Sequence, residues 1–161
     1  MKTEPQSYTR TYLLLKLLSG KPLDEKEQKL LQHTLDSILS LARRNKVLLY
    51  AIKQLEKLGL LLTIPQHYTS VVERLEYKRR LDLQIIEKLS ALCEDHSIDF
   101  VVVKTIKPFP YVGDDIDILV DVKDYRNFIK SVINELGFKK EGYGPAETTL
   151  YKHFEGFKLM I

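Results

Sequence analysis

Before Ile98 the apolar positions recur every three or four residues; after it they come in short β-branched runs. The first stretch, MKTEPQSYTRTYLLLKLLSG, carries one apolar run broken by Lys16 and reads as a helix facing a core. Pro22 and Asp24 open the next segment, where Asp24 and Glu27 have capping-box spacing and Leu31, Leu35, Ile38 and Ala42 follow at helical intervals. A further helix runs through Leu48, Ile52 and Leu55, with Gly59 placed to end it. Leu60 to Pro65 reads as a short apolar connector. Ser70 and Glu73 are spaced to cap a long segment carrying Val71, Leu75, Ile85, Ile86, Leu89 and Leu92, which the pattern leaves open as one helix or two.

IDFVVV then reads as a buried strand, and KTIKPFPYVG, with two prolines and a glycine, as a loop. Asp115 to Asp121 forms a second strand. Asp124 is placed to cap a helix with Tyr125, Ile129, Val132, Ile133 and Leu136 on its apolar face, closed by Gly137. EGYGPA reads as a loop, and TTLYKHF and FKLMI as a hairpin turning at Glu155-Gly156. The pattern predicts an α/β (α+β) fold: a mixed sheet of about four strands behind a helical N-terminal layer, divided into residues 1–67 and 68–161.

Composition narrows the setting. The 161 residues are 44% hydrophobic, enough for a core, and 29% charged with both signs mixed. A net charge of +3 is much weaker than the footprint needed to assert nucleic-acid binding, and a phosphate-bearing small molecule is as compatible with it as RNA or DNA. Cys93 is the sole cysteine, which rules out an intrachain disulfide and favours a reducing compartment. With no apolar stretch long enough to span a bilayer, the expectation is a cytoplasmic protein with no membrane partner.

The chemistry is concentrated in YVGDDIDILVD, residues 111–121, where carboxylates interrupt an apolar strand. Alternation puts Asp115 and Asp117 on one face, their Cα atoms roughly 6–7 Å apart, and Ile116 and Ile118 on the other. Two hard oxygen donors at that spacing can share a Mg²⁺ or Mn²⁺ ion, which completes its shell with water and phosphate oxygens. A solvent-facing strand edge is the plainer origin of such a pair. Asp114 reads as a turn residue after Gly113, Asp121 as a strand end.

The order of a strand ending VVVKT, a loop, then GDDIDILV resembles the nucleotidyltransferase superfamily, the DNA polymerase β-like palm. It looks closest to uncharacterised bacterial and archaeal nucleotidyltransferase-like proteins with a helical N-terminal region. The likeness covers roughly residues 30–161, including ARRNKVLLYAIKQLEKLGL. The resemblance implies transfer of NMP from an NTP to an acceptor hydroxyl, with Asp115 and Asp117 as catalytic, metal-binding acids. It further implies that Lys104, Thr105 and Gly113 contact the nucleotide, Lys104-Thr105 standing where the family has a Gly-Ser-like turn. Mg²⁺ or Mn²⁺ is the implied cofactor and an NTP the implied substrate; small molecule, protein and RNA all fit as acceptor, and a homo-oligomer is compatible. A catalytically inactive module of the same fold, binding a nucleotide or a protein partner, is the alternative.

The family's third acid lies on a later strand, where this chain has FKLMI. That acid is expected at or just past Ile161, and the sequence is expected to be cut short of a longer protein. Glu147 and Glu155 are the nearby acids, neither expected to coordinate.

His33, His67, His96 and His153 show no metal-ligand spacing, with or without Cys93, which reads as a core residue. His96 is expected to meet helix-terminal carbonyls, and His153 to occupy an ordinary strand position. Arg43-Arg44-Lys46 and Lys78-Arg79-Arg80 read as solvated helix faces, and Tyr50, Tyr68 and Tyr77 as core-edge residues.

Overall fold

The computed structural model describes residues 6–60, 64–144 and 147–161. Among these, five α-helices and five strands form in the order α1 (Gln6–Leu18), α2 (Glu25–Arg44), α3 (Leu48–Lys57), α4 (Thr69–Asp95), β1 (Phe100–Val103), β2 (Asp117–Val120), α5 (Tyr125–Leu136), β3 (Lys139–Tyr143), β4 (Thr148–Phe154) and β5 (Phe157–Met160). The chain divides into two compact units. One holds residues 1–76 with Phe109–Tyr111, and the other holds Tyr77–Pro108 with Val112–Ile161.

The first unit is helical. Its core joins Leu13 and Leu17 of α1, Leu35, Ile38 and Leu39 of α2, and Leu48 and Leu55 of α3. Helix α2 starts where its sequence asks it to. The Asp24 carboxylate accepts the Glu27 N–H, and the Glu27 carboxylate accepts the Asp24 N–H, so two orphan donors of the first turn are satisfied reciprocally. Phe109 stacks on Tyr50 with ring centroids 5.1 Å apart, and the Tyr68 hydroxyl donates to the Asp36 carbonyl. The connector read at Leu60–Pro65 falls largely on 61–63, outside the described residues.

Helix α4 settles the open point as a single helix of 27 residues. A 3₁₀ turn at Gln66–Tyr68 leads straight into it, so Ser70 lies inside its first turn instead of capping it. The second unit builds its core from Leu81, Ile85, Leu89 and Leu92 of α4, Phe128 and Val132 of α5, and Ile116, Leu150 and Leu159.

The mixed sheet of about four strands does not form. The strands make two antiparallel sheets, β1-β2 and β3-β4-β5. Among the described residues no ladder joins β1-β2 to the C-terminal strands, and the expected loop at 141–146 begins instead as the end of β3, Lys139–Tyr143. The segment pairs with β4 through a register irregularity between Lys140 and Gly142, so α5 leads into a strand on the far edge of the hairpin. The hairpin itself forms as read: Phe154 faces Phe157 across Glu155-Gly156, and Gly156 takes the positive φ of 84° that a β-carbon would penalise. Among the described backbone bonds between the two sheets, one stands out: the Ile116 N–H donates to the Met160 carbonyl at 2.9 Å.

Gly137, at φ 71°, closes α5 as expected. Asp124 occupies the N-cap position without a side-chain capping bond; the Asp121 carboxylate instead accepts the Lys123 N–H in the turn before it. No helix among the described residues is long and apolar enough to cross a membrane.

Candidate functional site

The β1-β2 pair has one covered face and one open face. Phe100 and Val102 of β1 and Ile118 and Val120 of β2 pack against the core. Val101 and Leu119, directly opposite each other, are exposed, and the neighbouring opposed pair is Val103 and Asp117. Asp117 therefore lies on the open face. The acids interrupt an apolar strand at no burial cost because half the strand was never buried. The strand expected from Asp115 begins only at Asp117; Asp115 lies in a bend ahead of it and is exposed. Between them Ile116 is 1% exposed, its side chain in the core.

At the end of β1 the chain turns sharply. The Thr105 N–H donates to the Val103 carbonyl at 2.7 Å, closing a three-residue γ-turn about Lys104, whose φ is +61°. That left-handed conformation is the one glycine adopts freely and a lysine does not. The turn thus takes a backbone shape suited to glycine while carrying a cation. The Lys104 ammonium lies 3.8 Å from the Asp117 carboxylate, an exposed pair worth little to stability. Thr105 is tied on both sides: its hydroxyl donates to the Val103 carbonyl and accepts the Asp117 N–H at 3.2 Å.

Asp115, Asp117 and Lys104 line one cavity of about 480 Å³. Glu147, Thr148 and Tyr125 share its wall, and Phe128, Ile129 and Leu150 supply an apolar floor. The Tyr125 and Thr148 hydroxyls are hydrogen-bonded to each other. Thr105 and Gly113 are not among the lining residues, and Gly113 is buried. No arginine stands in the lining, and among the described residues no hydrogen bond or ion pair reaches the Asp115 carboxylate. Among those same residues no three His, Cys, Asp or Glu side chains are grouped to hold a metal ion, so Glu147 shares the cavity without joining the pair as a third ligand.

The remaining side chains sort themselves by contact. His96 pairs with Glu135 at 2.7 Å instead of with helix-terminal carbonyls. His153 is an exposed strand residue, its ring edge-on to Tyr151. Cys93 is buried, and burial pushes its thiol pKa up, as for an inert core residue. Arg43, Arg44 and Lys46 are exposed, but Lys78 is not a solvated charge. Its ammonium donates to both oxygens of Asp82, each at 3.1 Å, on an inward face of α4. Burial raises the Asp82 pKa, and Lys78 only partly offsets it.

Sequence reasoning missed two features. Asp82 sits one helical step from Lys78 and from Ile85, so the i, i+4 spacing was the signal that placed both charges on the core side. Tyr125 and Thr148 carried no motif, because only the fold brings the first residue of α5 against the first residue of β4. Compared with known proteins, the chain matches no family model, no curated sequence and no solved structure.

Proposed function

We propose that the second unit is a nucleotidyltransferase-like site that binds an NTP with Mg²⁺ or Mn²⁺ through Asp115 and Asp117 and transfers NMP to an acceptor hydroxyl. The observation that carries this reading is the convergence of Asp115, Asp117 and Lys104 on one cavity, with no partner for the Asp115 carboxylate among the described residues. The donor set fits: Mg²⁺ is commonly held by one or two carboxylates, its other positions going to water and phosphate oxygens. A cation bound there supplies neutralisation of phosphate charge. The chain's own residues do the rest. Asp115 and Asp117 present hard oxygens, Lys104 brings a positive charge to the phosphates, and Phe128, Ile129 and Leu150 exclude water from one wall.

A second reading has its own observation. The Thr105 N–H and hydroxyl are both engaged within the protein, which removes the donors that a phosphate-binding turn needs, and among the described residues no third carboxylate joins the pair. Those facts favour a catalytically silent module that binds a nucleotide or a protein partner.

Calorimetric titration with ATP, with and without Mg²⁺, together with Mn²⁺ binding followed by electron paramagnetic resonance, separates the two. The transferase reading expects metal-dependent ATP binding that Asp115→Asn and Asp117→Asn each abolish. Metal-independent binding untouched by both substitutions supports the silent module.

A further inference from the structure

We infer that Thr105 is a positioning residue that aims the Asp117 carboxylate into the cavity; the inference rests on the two-carboxylate reading of the site. Val103 and Asp117 face each other at the last position of the β1-β2 ladder. There the Val103 carbonyl is drawn into the γ-turn, where it accepts the Thr105 N–H. The Asp117 N–H instead donates to the Thr105 hydroxyl at 3.2 Å, and that hydroxyl donates onward to the same Val103 carbonyl at 3.3 Å. A side-chain oxygen thus stands in for a main-chain one at the residue bearing the carboxylate.

The γ-turn also holds Lys104 over Asp117, so one hydroxyl fixes both the acid's backbone and the turn that carries its countercharge. The residue works through Asp117 and not on a ligand, since it does not line the cavity. Its loss should disturb aim more than folding. The hydrogen bond from the Asp117 N–H is only part-buried and lies at the end of the ladder, so water can take the place the hydroxyl leaves.

The test compares Thr105→Val, which keeps the shape and removes the hydroxyl, with Thr105→Ser, which restores it. Three quantities are read in the full chain: Mn²⁺ affinity, thermal midpoint and amide hydrogen exchange at Asp117. Thr105→Val is expected to exchange faster at Asp117 and to bind Mn²⁺ about 10-fold more weakly, the usual scale for groups that orient a ligand. Thr105→Ser should recover both. The inference is overturned if Asp117 exchanges at the wild-type rate in Thr105→Val, or if Mn²⁺ affinity is unchanged in a folded Thr105→Val chain. A wild-type chain that binds no Mn²⁺ ends the metal reading instead, and the Asp117 exchange rate still decides whether the hydroxyl holds that strand.

Discussion

Replacing Lys78 with methionine isolates the price of a buried carboxylate. Methionine fills much the same volume on α4 but removes the ammonium whose two hydrogen bonds hold the oxygens of Asp82, a residue 5% exposed. The stranded group can always neutralise itself by taking a proton. From an ordinary pKa of 3.8, doing so at pH 7 costs about 4 kcal/mol at ~1.36 kcal/mol per unit. That is a ceiling, and the loss measured when buried pairs are broken begins at about 3 kcal/mol. We expect ~3 kcal/mol of destabilisation at neutral pH, read as a fall in urea midpoint by far-ultraviolet circular dichroism. The penalty must shrink as pH falls, because the proton becomes cheaper to acquire; near pH 5 the ceiling is about 1.6 kcal/mol. The wild type shares the sign. With a folded pKa above 3.8, the stability linked to Asp82 protonation is fully present below that value and lost as pH rises through the folded one. Lys78→Met combined with Asp82→Leu should recover most of the loss, since a buried ion pair exchanged for apolar groups is often neutral. A single variant as stable as wild type, or a loss independent of pH, would refute the reasoning.

Two further predictions concern the ends and the inside of α4. Ser97 follows this helix at φ 55°, where glycine is unstrained, so Ser97→Gly should stabilise by about 0.5 kcal/mol, the relief of strain set against glycine's greater freedom when unfolded; a lower urea midpoint would contradict this. The Cys93 thiol, buried and with its pKa pushed up, should resist thiol reagents at mildly alkaline pH in the native chain and react promptly in urea. Native labelling at the rate of a free thiol would show that Cys93 is not where the packing puts it.

The parts of the fold legible in the sequence were those fixed by local chemistry. Asp24 and Glu27 announced a helix start because each satisfies the other's backbone, and Gly137 and Gly156 marked turns that need a left-handed residue. The parts that escaped depend on partners distant in the chain. KKEGY has no apolar alternation, and it becomes a strand because β4 offers an unpaired edge. The expected single sheet fails for another reason: among the described residues β1 and β2 form no ladder with β4 or β5. The continuity of α4 was hidden by the polar stretch EYKRR, whose Lys78 finds its partner four residues on. At the site, alternation treats Asp115 and Asp117 as one strand, but Asp115 lies in the bend before β2, and the engagement of Thr105 depends on a backbone turn that no residue pattern encodes.

Ile116 separates the two acids, yet it is anchored by its side chain in the core and by its amide on the last residue of β5. The spacing of the carboxylates is therefore inherited from the interior. Trimming that isoleucine by one methyl group offers a dial on the mouth of the cavity that leaves every charged atom in place.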